Sequence, residues 1–204
     1  GLSMRTGSGE WIWRPLMNSP MVRINSFFDE NPRGFGLLQR DRNFDHYQDD
    51  GAYYDKRPSL WIEPLGDWGK GAVQLVEIPT QDETFDNIVA FWNPAEPVVA
   101  GQRLSFSYRM HWGNEPPARP NNGEVIATRI GVGGVPGQKQ TVVSRKFVID
   151  FKGGRLAELG WKDKLEAVIT ASKGRIEAAA ARPIKELDGW RCNFDSGRLL
   201  IFSI

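Results

Sequence analysis

The sequence predicts an all-β protein of the sandwich type. Three observations lead there. The composition combines many aromatics, Trp 8 and Phe 11, with many turn formers, Gly 22 and Pro 13, the mixture of a β-rich chain with frequent turns. Apolar and polar residues alternate with period two in several runs, as strands with one buried face require. These runs are short, and turn residues separate them every ten positions or so.

The elements follow in order. Gly1–Gly9 is rich in Gly and Ser and reads as a flexible, loop-like start. Trp11–Arg14 reads as a strand ended by Pro15, and Met21–Phe28 as another. Asp29–Gly36 carries Asn31-Pro32 and two glycines, a turn. Residues 34–64 read mostly as loop until Ser59–Glu63, a strand. Gly66–Gly71 turns into Ala72–Ile78, the clearest strand of the first half, and Asn87–Trp92 follows. Asn93–Pro97 holds two prolines in five residues and is the candidate domain boundary. Beyond it Leu104, Phe106, Tyr108, Met110 and Trp112 alternate with Arg103, Ser105, Ser107, Arg109 and His111, a half-buried strand.

A Pro-rich loop, Gly113–Gly123, leads to strands at Glu124–Val132 and Thr141–Phe151, with a turn at Gly133–Gly137. Leu165–Thr170 and Arg175–Pro183 read as a hairpin across Ser172–Gly174, although Ala178–Ala181 equally suits a helical turn. Gly189–Phe194 and Leu199–Ile204 complete six or seven strands of an immunoglobulin-like sandwich. Cys192, the single cysteine, alternates with Trp190 and Phe194 and reads as core. It has no internal disulfide partner, so cysteine usage leaves the compartment open.

Lys+Arg 26 against Asp+Glu 25 gives a net charge of +1. No basic surplus points to nucleic acid or to an anionic membrane, and no run is apolar enough to span a bilayer. The start shows no signal peptide. Trp11, Ile12 and Trp13 arrive as though mid-domain, so a fragment is expected, with any targeting signal lying upstream. The apolar ending, LLIFSI, suggests a cut there too.

The densest chemistry lies in Gly34–Pro64, GFGLLQRDRNFDHYQDDGAYYDKRPSLWIEP. Asp41, Asp45, Asp49, Asp50 and Asp55 stand among Arg40, Arg42 and Arg57, with Phe44, His46, Tyr47, Tyr53, Tyr54 and Trp61 between them. Rings that stack on pyranose faces, beside groups that bond hydroxyls or move protons, suit a sugar site. In a cluster of this kind a neighbouring carboxylate raises a pKa and a neighbouring arginine lowers it. The same residues equally describe a solvated loop with surface ion pairs. Asp45, Asp49, Asp50 and His46 lack the spacing of a calcium loop, and two histidines with one cysteine do not make a zinc site. No metal or other cofactor is expected. There is no G-x-S-x-G and no Walker pattern. Trp61 and Trp68 are candidate sugar platforms, whereas Trp92 reads as core. Glu63 and Glu77 lie on expected strands, where a carboxylate faces a cleft or, more commonly, water.

The segment just quoted, and GDWGKGAVQLVEIPTQDETFDNIVAFWNP after it, closely resemble the periplasmic glucan biosynthesis family (MdoG/OpgG and OpgD). The resemblance runs from about Trp11 to Trp112 and continues more loosely beyond. It implies that residues 1–94 are the end of a large, galactose-mutarotase-like β-sandwich, and that residues 95–204 are an immunoglobulin-like domain. It further implies a periplasmic role in making osmoregulated glucans with β-1,2-linked backbones in Gram-negative bacteria. Family members resemble inverting endo-hydrolases that use an Asp as general acid. Carried onto this chain, the acid is Asp49, with Asp41 as second choice, and Arg40, Arg42, Tyr47, Tyr53, Trp61 and Trp68 position glucose units. The base would lie upstream, so the fragment alone is expected to be inactive. The expected partners are β-1,2-glucan, a membrane-bound glucan synthase and a second copy in a homodimer. Two alternatives stand beside catalysis: a module that holds nascent glucan without cutting it, and a C-terminal scaffold that orients a dimer or docks a partner.

Overall fold

Strands account for most regular elements of the computed structural model, which describes residues 1–82, 84–134, 137, 144–171 and 174–197 and the backbone of 202 and 203. The chain forms two compact units, Gly1–Ala118 and Arg119–Ile204. All sheets are antiparallel, and the protein is all-β.

The first unit pairs two sheets. One has five strands in the order β2-β1-β4-β5-β8: Trp11–Arg14, Leu2–Arg5, Gly34–Leu37, Ser59–Pro64 and Tyr108–Gly113. The other has three in the order β3-β6-β7: Arg23–Glu30, Lys70–Glu77 and Ile88–Pro94. Period-two alternation sends Leu2, Met4 and Phe35 from the larger sheet to meet Val73 and Leu75 from the smaller one. Phe27, Ile62, Trp68, Ala90 and Trp92 close around them. Burial of this set is the main drive for joining the sheets.

Several expectations change here. Gly1–Gly9 is not a loose start, because Leu2–Arg5 is a central strand between β2 and β4, with Leu2 and Met4 fully buried. The glycines suggested mobility, but two flanking ladders fix the segment. The alternating run that begins at Leu104 becomes a strand only from Tyr108, and that strand pairs with β5. It therefore belongs to the first unit. The two compact units part between Ala118 and Arg119, inside the Pro-rich loop. The prolines before β8 interrupt the chain locally, but its six-residue ladder with β5 carries the chain back. Trp112, Met110 and Tyr108 stay exposed, because the three-stranded sheet is narrower than the five-stranded one.

In the second unit, β9 (Glu124–Val132), β10 (Ser144–Lys152), β12 (Arg175–Ile184) and β13 (Gly189–Gly197) form a sheet in the order β12-β13-β10-β9. Phe147 lies directly across from Phe194, with rings stacked at 5.0 Å, and Ile149 lies across from Cys192. These four are the buried core, covered by Val125, Phe151, Ala167, Ile169 and Ile176. Cys192 is core, as its alternation predicts. On the other face, Asp150 accepts from Arg191 Nε at 2.6 Å, from Arg191 Nη2 at 3.0 Å and from Arg129 Nη1 at 2.6 Å.

The expected hairpin of 165–170 with 175–183 does not form. β12 pairs with β13, while β11 (Thr170–Ala171) pairs with β14 (Phe202–Ser203). Ala178 takes φ 50 at a bulge within β12 and is not a helical turn. Parts of the expected turn at 133–137, of the strand at 141–151, of the turn at 172–174 and of the last strand lie outside the described residues.

Candidate functional site

The five-stranded sheet has an outer face opposite the sandwich core, and the loop from Gln39 to Arg57 is fastened to it where β4 ends and β5 begins. Ser59, the first residue of β5, is the anchor. Its Oγ accepts from the backbone N–H of Gln39 at 3.0 Å and from Arg42 Nη2 at 3.2 Å. Arg42 Nη1 also donates to the carbonyls of Arg57 at 2.8 Å and Asp55 at 3.2 Å. The Gln39 amide donates to the carbonyls of Tyr54 at 2.7 Å and Asp41 at 2.9 Å. One guanidinium and one amide thus cross-brace the loop through backbone oxygens, which any sequence between them would supply.

Inside the loop a single helical turn, α1 (Phe44–Tyr47), is capped by Asn43, whose side chain accepts from Asp45 N at 3.1 Å. Gln48 at φ 52 and Tyr53 at φ 54 reverse the chain. Asp49 Oδ1 accepts from the backbone N–H of Gly51 and of Ala52, both at 3.0 Å. These bonds, Ala52's foremost, and the backbone N–H of Tyr54 hold the Asp49 carboxyl below the usual carboxylate range, and the Arg57 charge adds to them. Asp49 Oδ2 is buried and has no hydrogen-bond partner among the described residues.

Asp41 meets His46 Nδ1 at 2.6 Å and accepts from Asn43 N at 3.1 Å, and its carboxyl too is held low, chiefly by the His46 bond. A general acid must carry its proton at the working pH. In the loop as it stands, both candidate acids are carboxylates.

The remaining candidates divide. Arg40 lies over the Trp13 ring, 3.4 Å from its centroid. Tyr47 donates its hydroxyl to the Asp41 carbonyl at 2.9 Å. Tyr53 is exposed, with Lys56 Nζ 4.3 Å from its ring centroid. Trp61 sits on the outer face, 5.6 Å from Trp11, with its indole over Gly34. It is only 3% exposed, so it floors the face more than it offers a free platform. Trp68 is on the opposite side of the sheet. It packs against Phe35, Trp92, Phe106 and Tyr108 and donates Nε1 to the Ser107 carbonyl. The structure therefore places Arg40 and Trp61 on one face, ties Arg42, Asp41 and Tyr47 to it through Ser59 and Gln39, holds Asp49 and Tyr53 in the same loop, and separates Trp68 from them.

Sequence reasoning missed three features. Trp11 and Trp13 are on the outer face, as the alternation of β2 places them. Glu63 accepts on one oxygen, Oε2, from His111 Nε2 at 2.8 Å and from Arg109 Nη1 at 3.1 Å. The shared parity of Arg109 and His111 was visible in the sequence, but their register with β5 was not. Glu77, a candidate for a cleft or for water, is 1% exposed and bridges the two sheets. Its Oε2 meets Arg14 Nη2 at 2.7 Å, and its Oε1 accepts from Met17 N at 2.6 Å. Among the described residues no group of three or more His, Cys, Asp or Glu is placed to hold a metal ion, and no helix is long and apolar enough to cross a membrane.

A family profile described as "Periplasmic glucan biosynthesis protein, MdoG" matches residues 1–198. The chain belongs to this family. It is 62% identical over 195 residues to glucans biosynthesis protein D of Stenotrophomonas maltophilia (strain K279a), covering 96% of this chain and 36% of that protein. The probable glucans biosynthesis protein D of Shewanella oneidensis matches equally, at 62% over 195 residues with the same coverage. The Xanthomonas oryzae pv. oryzae (strain PXO99A) protein D is 61% identical over 197 residues, 96% of this chain and 37% of the relative. The chain thus spans little more than a third of the length of these relatives. This periplasmic glucan family is the one that the loop and the strand after it resemble in sequence.

Proposed function

We propose that this chain works in periplasmic glucan biosynthesis, and that its own contribution is to bind and orient a β-1,2-linked glucan on the outer face of the five-stranded sheet. One observation carries the reading. The loop Gln39–Arg57 is braced by Arg42 and Gln39 and tied to Ser59 at the start of β5, and Arg40 lies over Trp13 on the same face, so that the loop's carboxylates, arginines and tyrosines are gathered next to that face. Fixed acceptors and donors next to ring edges match the alternating hydroxyls and C–H faces of a neutral sugar chain. The family and the names of its relatives agree with glucan as the polymer.

A second reading, inverting endo-hydrolysis or remodelling, takes Asp49 as the acid, with its Oδ2 not engaged by the Gly51 and Ala52 bonds. That oxygen is buried, so the loop would have to open before it could meet a glycosidic oxygen. To act as acid, Asp49 would have to gain its proton as a bound sugar excludes water, which raises a carboxyl pKa. The second carboxylate of an inverting pair would stand well apart from it.

The experiment is to incubate linear β-1,2-glucan with the protein as its gene encodes it in full, and with its Asp49→Asn and Asp41→Asn variants. Binding by all three, without new reducing ends, supports the holding role. New reducing ends from the unsubstituted protein, lost in Asp49→Asn, establish cleavage with Asp49 as acid. Absence of binding by every form refutes both readings. A membrane-bound synthase is the natural source of such a polymer, and copurification with a synthase would test that link. A scaffold or dimer role for residues 95–204 would appear as self-association without glucan binding.

A further inference from the structure

The outer face continues past Trp61. Ser59, Trp61 and Glu63 share its parity along β5, in steps of about 6.7 Å. Glu63 therefore stands roughly 13 Å along the strand from the loop's anchor. Directly across on β8, His111 faces Trp61 and Arg109 faces Glu63. Among the described residues both bonds to Glu63 converge on Oε2, which leaves Oε1 for a ligand. The Glu63 side chain is 37% exposed and His111 29%, so the group opens to solvent while resting on the sheet.

We propose that Glu63, held by His111 and Arg109, forms a second sugar-hydroxyl subsite on this face, remote from the loop and on the same polymer path. This rests on the glucan-binding reading above. A carboxylate oxygen with its partner oxygen already occupied is a fixed acceptor for a pair of vicinal hydroxyls, and the free N–H groups of Arg109 are donors beside it. The His111 bond, foremost, and the Arg109 charge keep the Glu63 carboxyl below its ordinary range, so it stays an acceptor at neutral pH. A ligand class with neither acceptors nor donors would gain nothing here. The group carries both, as a neutral hexose requires. The competing account is a cross-strand ion pair that merely charges an edge strand.

The test is calorimetric titration of the protein as its gene encodes it in full with linear β-1,2-linked glucose oligomers of increasing length. Glu63→Ala is expected to weaken binding about tenfold, the worth of one charge-assisted hydrogen bond, for oligomers that reach from the loop to Glu63. The shortest oligomers should bind as before, and the melting midpoint should not move. Glu63→Gln, which keeps the shape and an acceptor, should lose less. Equal binding at every length by Glu63→Ala overturns the subsite. So does an equal loss at every length accompanied by a lower melting midpoint, the mark of a structural pair. If the unsubstituted protein binds no oligomer at all, the glucan reading itself falls, and the subsite with it.

Discussion

Asp150 gives the most exacting test of the physical reasoning. Its side chain is 1% exposed and receives three hydrogen bonds from two arginines. Replacing it with Ala removes a buried anion and strands the cations. The two arginines lose unequally. Arg129 is 59% exposed and returns to water at little cost, whereas Arg191 is 24% exposed and does not. Breaking a buried pair costs about 3–5 kcal/mol, and the partial exposure of Arg191 sets the expectation near the lower end, about 3 kcal/mol. A unit of this size is stabilised by roughly 4–13 kcal/mol in total, so the loss is a large fraction.

Hydrogen exchange of the β10 and β13 amides, measured in the whole chain, reads it directly. Protection should fall by about two orders of magnitude, since each 1.4 kcal/mol is tenfold. A fall of less than about fivefold would refute the reasoning and place the triad at break-even. Acid provides the second reading. The arginines, Arg191 first, hold the Asp150 carboxyl below its ordinary range. Its contribution is therefore complete above the unfolded value of about 3.9 and is lost as pH falls from there through the lower folded value. Asp150→Asn should flatten that part of the acid transition.

Three further outcomes follow from the first unit. Glu77→Ala leaves Arg14 and the Met17 N–H without their acceptor, so urea unfolding should shift by about 3–5 kcal/mol. A shift under 1 kcal/mol would show that the bridge between sheets is dispensable. At Gly34 an added Cβ overlaps the Trp61 indole, so Gly34→Ala should cost about 1–3 kcal/mol and shift indole emission as Trp61 is lifted. Unchanged emission would mean that the ring does not lie there. Ser59→Ala removes the acceptor shared by Gln39 N and Arg42. Exchange in residues 39–57 should rise by about tenfold, for a loss near 1–1.5 kcal/mol, while β5 itself keeps its protection. Equal changes in both would show that the loop is not separately anchored.

Local chemistry made some of this legible without coordinates. The strands at Trp11–Arg14, Ser59–Glu63, Ala72–Ile78 and Glu124–Val132, the glycine turn at Gly66–Gly71 and the core position of Cys192 all follow from period two and from turn residues. Both signals are carried by neighbours in the chain. The charged aromatic loop was visible as composition, although its bracing was not, since Arg42 and Gln39 act on carbonyls that no side-chain identity announces.

The sequence by itself determined an all-β chain with a dense polar-aromatic loop, and through its resemblance a glucan family. Tertiary structure alone decided that Gly1–Gly9 holds a central strand, that β8 returns to β5, and that β12 joins β13 in place of the nearer segment. It also decided that Trp61 and Trp68 point to opposite faces, that Glu77 is buried against Arg14, and that Glu63 meets His111. The reason is common to all of these. Alternation fixes which residues share a face of one strand, but which strand lies beside it, and in what register, depends on packing between residues far apart in sequence.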